Sequence, residues 1–179
     1  ADGDYDLAGT IVGVVDRPDL LDGSRVAEGD VLLGVASSGL HTNGYSLARK
    51  LFFERLGLGP HDRVPELGAT VAEALLAVHR SYLVPLLPLV ADGLLSAMSH
   101  VTGGGFPDNL PRVLPEGLRA VVEPGGWEWP ALFRFIREKG SVPDDEMLRV
   151  FNCGVGMVLF VPAERVPEAT RRLEGAGER

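Results

Sequence analysis

The chain has 179 residues, 45% apolar and 23% charged, which is enough for one domain with a sizeable core and excludes a disordered or collagen-like chain. Its 17 basic and 25 acidic side chains leave a formal charge of −8, which argues against the positive field of a general nucleic-acid surface. No apolar run reaches membrane-spanning length, and the lone Cys153 excludes a disulfide within the chain and fits a reducing, cytoplasmic setting.

In chain order, the first apolar stretch is DLAGTIVGVVDR (residues 6–17). It is β-branched on both faces, with Gly9 and Gly13 on one of them. This predicts a strand covered on both sides or lying close against another backbone. Asp2, Asp4 and Asp6 read as a solvated end. After a link with DGS and EGD turn signals, DVLLGVASS (residues 30–38) predicts a second strand. The period then changes. Thr42 or Asn43 is placed to cap a helix with Leu47, Leu51 and Phe52 at core spacing, ended by Gly57 and Gly59. A second helix is expected from about Gly68 to Val84, with Pro85 and Pro88 breaking the pattern.

LLSAMSHV (residues 94–101) predicts a short strand, PDNLPRVLP (107–115) a helical turn or two, and LRAVVE (118–123) another strand. PALFRFIREKG (130–140) reads as a helix with Pro130 in its first turn. PDDEMLRVF (143–151) reads as a short helix whose acidic start suits the helix dipole. GVGMVLFVP (154–162) predicts a strand and AERVPEATRRLEGAG (163–177) a closing helix. Strands and helices are interspersed without a strict βαβ repeat. The expected fold is therefore a layered α/β (α+β) domain, a mixed β-sheet packed with helices. The opening ADGDYDLAGT and the closing RRLEGAGER read as the ends of a piece of a longer protein.

Two stretches carry candidate chemistry. The first is TGGGF: Thr102, Gly103, Gly104 and Gly105 lie between an expected strand and an expected helix, where exposed amides can cradle an anion without net charge. It is neither a P-loop, since the following lysine is missing, nor G-x-G-x-x-G. A turn with tight helix–strand contact explains the glycines equally well, and both readings stay open. Gly104→Val is expected to block anion approach with little change in fold. The second stretch is ASSGLHTNGYS. Ser37, Ser38, Gly39, His41 and Asn43, with Thr42, form a dense donor set at a strand-to-helix junction. Ordinary capping explains one or two of these residues but not all of them. Two neighbouring junctions of this kind can grip one anion together.

The remaining features have plainer readings. His61 and His79 stand alone, at the surface or in helix packing. His100 is a further candidate for the anion site, or a satisfied strand histidine. Cys153 has no sequence neighbour to lower its pKa, and Trp127 and Trp129 read as packing residues. No spacing of Cys and His marks a zinc site, and no metal ligands are assigned.

YDLAGTIVGVVD, GDVLLGVASSGLHTNGYSLARK, HVTGGGFPDNLPRVLP, WEWPALFRFI and EMLRVFNCGVGMVLFVP, in this order, resemble the C-terminal half of the phosphoribosylformylglycinamidine cyclo-ligase (aminoimidazole ribonucleotide synthetase) family. The glycine-loop and FNCGVGM segments look like this family rather than its relatives, the larger amidotransferase of the same pathway, thiamine-phosphate kinase and selenophosphate synthetase. The resemblance implies an ATP- and Mg2+-dependent ligase of purine biosynthesis that closes the imidazole ring of formylglycinamidine ribonucleotide. The products are aminoimidazole ribonucleotide, ADP and phosphate. It implies a cytoplasmic homodimer built through N-terminal domains that also hold most of the nucleotide and metal ligands. Residues 1–17 are then the last strand and link of that missing domain, and residues 18–179 are the C-terminal α/β domain. The chain alone is expected to be inactive and to self-associate through the open edge at Leu7 to Val15. Thr102 to Gly105 would offer amides to a substrate or nucleotide phosphate, with Ser37, Ser38, Gly39, His41 and Asn43 on the facing wall. No general base is assigned. Two alternatives are a non-catalytic module that binds phosphorylated metabolites and a purely structural domain.

Overall fold

The computed structural model describes residues 8–178. In chain order the elements are β1 (Val31–Ala36), α1 (Tyr45–Arg49), β2 (Arg63–Val64), β3 (Ala69–Thr70), α2 (Val71–Leu75), α3 (Leu83–Ala91), β4 (Ala97–His100), α4 (Gly105–Asn109), α5 (Ala131–Gly140), α6 (Asp144–Val150), β5 (Val155–Val161) and α7 (Val166–Gly175). The run VGMVLFV is apolar on both faces because β5 is the middle strand of the main sheet, in the order β1-β5-β4. Met157, Leu159 and Val161 meet Leu86 and Leu89 of α3 and Ala169 and Leu173 of α7. Val158 and Phe160 meet Phe106, Leu110 and the stretch from Val113 to Val122. A third cluster, around Phe52, Phe133, Ile136, Met147 and Phe151, joins α1, α2, α5 and α6. Each fully buried side chain of this kind contributes about 1.5–3 kcal/mol.

The expected layering of helices on a sheet is what the chain forms. The strands of the main sheet run in both directions. β1 and β4 run the same way but are separated by β5, which runs against both, so every pair among the described residues is antiparallel. The β1–β5 register slips between Val35 and Ala36, which face Met157 and Val155, so Gly156 is the extra residue of a bulge. A Cβ at Gly156 would overlap the Tyr82 hydroxyl and the His41 ring, which is why glycine occupies this position.

Residues 8–16 form no strand. Ile11, Val12 and Val14 are 97%, 86% and 98% exposed, and both faces of the stretch lack a partner among the described residues. The start of the expected strand, at Asp6 and Leu7, and the aspartates before it lie outside the described residues. The helix expected over Gly68 to Val84 is two helices. Thr70 and Glu73 form a capping box that starts α2, and α2 stops after Leu75. Pro85 and Pro88 lie inside α3 rather than ending it. Pro85 sits in the first turn, where an N–H has no helical acceptor in any case. Pro88 frees the carbonyl of Val84, a residue 80% exposed to solvent. Helix α1 is entered through Gly44 in the left-handed region (φ 72°), not through a Thr42 or Asn43 cap, and continues into a π-helical turn at Lys50–Arg55. LRAVVE alternates between half-buried and exposed as a strand would, but pairs with nothing. It instead walls a cavity of about 1330 Å³ over one face of β1 and β5.

Candidate functional site

β4 delivers the chain to the glycine loop, and the buried amide of Asn109 shapes it. Asn109 Nδ2 donates to the carbonyl of Gly105 at 2.7 Å and lies 3.3 Å from those of Thr102 and Gly103. Asn109 Oδ1 accepts from Thr102 Oγ1 at 3.0 Å, so that hydroxyl is already used. The three glycines divide into two kinds. Gly105 donates its N–H to Thr102 O at 3.0 Å, and a Cβ there would overlap the carbonyl of Leu148 on α6. At Gly105 the tight-packing reading holds and the amide is not free for a ligand. The amides of Gly103 and Gly104 meet no acceptor among the described residues, and Gly103 is exposed. Gly104 has φ 89° and lies against the Asp108 side chain. Gly104→Val would therefore strain the fold, contrary to expectation. Gly103, where a Cβ meets only Asn43 Oδ1 at 3.5 Å, is the cleaner position to probe. That 3.5 Å also shows that the two loops face one another.

In the second loop most of the donors are occupied. Ser37 Oγ donates to Asn152 Oδ1 at 2.9 Å, while Asn152 Nδ2 donates to Gly39 O at 2.9 Å. Ser38 Oγ donates to Val78 O at 2.7 Å and accepts from Arg80 N at 3.2 Å. Asn43 Nδ2 donates to His41 O at 2.7 Å, as does Thr42 Oγ1 at 2.6 Å. Ser37, Ser38 and Gly39 thus brace the loop, and Asn43 is the residue that reaches the glycine loop. His41 and Thr42 both lie in the left-handed region, at φ 49° and 61°. This is costly for a β-branched residue such as Thr42, and such strain is held only where the surroundings over-determine it.

The fold gathers histidines that the sequence left isolated. His79 stacks on His41 with ring centroids 3.8 Å apart, and its Nε2 lies 3.2 Å from His100 Nε2. His41 is 2% exposed. Loss of water, then the neighbouring His79, His100 and Arg80, hold its pKa down to about 4, so the ring is neutral. Desolvation and His79 lower His100 in the same way. Tyr82, whose hydroxyl donates to Ala36 O at 2.8 Å, is pushed up to about 12 by burial. His61 remains an exposed turn residue.

Asn109 and Asn152, 2% and 1% exposed, are the residues that sequence reasoning passed over. Their signal was a polar amide amid apolar neighbours, in DNLP and FNCG, that had to satisfy several backbone groups. Cys153 is fully buried, and burial pushes its thiol up to about 12, in keeping with its reading as a non-nucleophile. Trp129 is buried and Trp127 donates Nε1–H to Cys153 O at 2.8 Å, so both pack. The large cavity reaches Phe106, next to the glycine loop, and among the candidate residues only Ser37 lines it.

A family model described as AIR synthase related protein, C-terminal domain, matches residues 27–179. The phosphoribosylformylglycinamidine cyclo-ligase of Citrifermentans bemidjiense is 49% identical over 175 residues, covering 98% of this chain and 50% of that protein. The cyclo-ligase of Desulfatibacillum aliphaticivorans is 47% identical over 178 residues, covering 99% and 51%. That of Geobacter sulfurreducens is 49% identical over 177 residues, again covering 99% and 51%. The chain spans about half the length of the curated relatives it matches. It belongs to the AIR synthase-related family, whose C-terminal domain it carries.

Proposed function

We propose that the chain is the C-terminal half of a phosphoribosylformylglycinamidine cyclo-ligase. The whole enzyme would close the imidazole ring of formylglycinamidine ribonucleotide at the expense of ATP, giving aminoimidazole ribonucleotide, ADP and phosphate. The observation that carries this reading is 47–49% identity to such enzymes over nearly the entire chain. Residues 1–17 would belong with an N-terminal half and residues 18–179 form the C-terminal domain. The exposed, unpaired Ile11, Val12 and Val14 support that division. The whole enzyme would be a cytoplasmic homodimer.

ATP would supply the phosphoryl group that turns the formyl oxygen into a leaving group. In this chain the amides of Gly103 and Gly104, facing Asn43, fit one phosphate of the substrate or the nucleotide. His41 and His100, neutral near pH 7, fit hydrogen bonding better than charge compensation. Mg2+ takes oxygen ligands. The one group of three or more ligating side chains among the described residues is made of imidazoles, so these residues do not fit Mg2+.

Joined to the N-terminal half of the Geobacter sulfurreducens relative, the chain should form aminoimidazole ribonucleotide and ADP from formylglycinamidine ribonucleotide, ATP and Mg2+. By itself it should form neither. A folded chimera that binds both substrates but releases no ADP would leave a non-catalytic phosphometabolite-binding module instead. Turnover by the chain alone at the chimera's rate would refute the division of labour.

A further inference from the structure

His41 follows β1, His79 lies between α2 and α3, and His100 ends β4, yet one ring nitrogen from each lies within 4.8 Å of the other two. His79 Nε2 and His100 Nε2 are 3.2 Å apart. Two nitrogens on a tetrahedral Zn2+ at the usual bond length are about 3.3–3.4 Å apart, so this pair already has nearly the spacing of two ligands. The rings of His41 and His79 stack with a tilt of 24°, so binding one ion requires these side chains to rotate out of the stack.

The outer nitrogen of His79 is held so that its inner one is free. His79 Nδ1 lies 2.8 Å from the carbonyl oxygen of Arg80. That oxygen only accepts, so Nδ1 carries the proton and Nε2 presents a lone pair. Ser38 N–H donates to His41 Nε2 at 3.0 Å, and Ser38 Oγ lies 3.0 Å from the same nitrogen. Ser38 Oγ has given its own proton to Val78 O and can accept one from Nε2. A metal ion at His41 Nδ1 needs that tautomer, which gives up the Ser38 N–H bond, and Nδ1 is buried with no partner among the described residues. The tautomer that Ser38 N–H selects buries an unanswered Nδ1–H, which a metal ion at that nitrogen would replace. An imidazole whose far nitrogen donates to a carbonyl or hydroxyl is the arrangement of a metal-bound histidine, and His79 has it. Arg80, the nearby cation, is paired to Glu178 at 2.5 Å, which tempers its repulsion of a metal ion.

We propose that His41, His79 and His100 form a site for a borderline-soft divalent cation, Zn2+ as the type case, bound by three neutral imidazoles with the fourth position open. The site goes beyond the cyclo-ligase reading and does not depend on it.

Titration of the metal-free chain with zinc chloride at pH 7.5, followed by calorimetry and by competition with a chromogenic chelator, should give one site per chain of micromolar or tighter Kd. Co2+ in its place should show the visible absorption of a four-coordinate ion, and excess Mg2+ should not compete. His79→Ala, at an exposed position, should weaken Zn2+ binding at least tenfold, and His61→Ala should leave it unchanged. If His79→Ala lowers the melting temperature, His100→Asn makes the same test from the other side of the pair. Absent uptake, equal uptake by the His79 and His100 variants, or loss of uptake in His61→Ala overturns the proposal. The His79–His100 contact would then be an N–H···N hydrogen bond and nothing more.

Discussion

Asn109 donates its side-chain amide to the carbonyl of Gly105 at 2.7 Å, and through this bond one buried residue holds the glycine loop in shape. Asn109→Leu keeps the volume but leaves the Gly105 carbonyl and the Thr102 hydroxyl without their partner. A loss of about 2–4 kcal/mol in denaturant unfolding is expected, from about 1–3 kcal/mol for each unmet buried group. A loss below 1 kcal/mol would mean that the loop holds itself.

The glycines of one loop should separate cleanly. Gly105→Ala places a Cβ into the Leu148 carbonyl at a φ of 59° and should cost about 3 kcal/mol or more. Gly103→Ala meets only ordinary contact and should cost under about 1 kcal/mol. It should also diminish the rise in melting temperature caused by inorganic phosphate, if the exposed amides hold an anion. Equal destabilisation by both substitutions would contradict the split.

Asp108 is the unfavourable element of the anion reading, because its carboxylate lies against Gly104. Asp108→Asn should tighten phosphate binding by roughly 1 kcal/mol, about fivefold, at low salt. The gain should shrink in 0.5 M salt through screening. Weaker phosphate binding in the variant would show that the carboxylate organises the loop more than it repels the ligand.

Cys153 makes an alkaline prediction. Burial, with Asp144 adding to it, raises its pKa to about 12, so the native state keeps a proton that the unfolded chain releases above about pH 9. Its contribution to stability is therefore intact below pH 9 and lost progressively as pH rises toward 12, by at most about 4 kcal/mol. Cys153→Ala should flatten part of the stability loss between these limits, the rest tracking Tyr82, which is raised in the same direction. A thiol reagent at pH 8 should label the chain only in denaturant. Rapid stoichiometric labelling of the folded chain would refute the assignment.

The exposed stretch from Ile11 to Val15 should drive weak self-association of the isolated chain. Sedimentation should show a mass that rises with concentration, and Ile11→Lys with Val14→Lys should abolish the rise. A concentration-independent monomer would place the stretch outside any interface.

Legibility in the sequence followed from whether a pattern could be completed locally. VGMVLFV was readable because a strand buried on both faces needs an unbroken apolar run, and α6 because Asp144, Asp145 and Glu146 announce a helix start. TIVGVV has the same strand pattern, but a strand exists only with a partner, and none of the described residues supplies one. Pro85 and Pro88 misled because their cost depends on where the helix begins and on solvent reaching Val84. The two loops were readable as loops. Which amides stay open was decided by Asn109 and Asn152, through bonds no spacing rule records. The histidine cluster was invisible because the sheet and the α2–α3 link bring together residues far apart in the chain.

The position of β5 bears on how the protein is made. Both of its neighbours, β1 and β4, pair with it and not with each other, yet β5 is the last of the described strands to be synthesised. A nascent chain ending before Val155 has every edge of the main sheet waiting and nothing to close it. Until those seven residues emerge, the apolar faces of β1 and β4 stay open to chaperones and to neighbouring nascent chains.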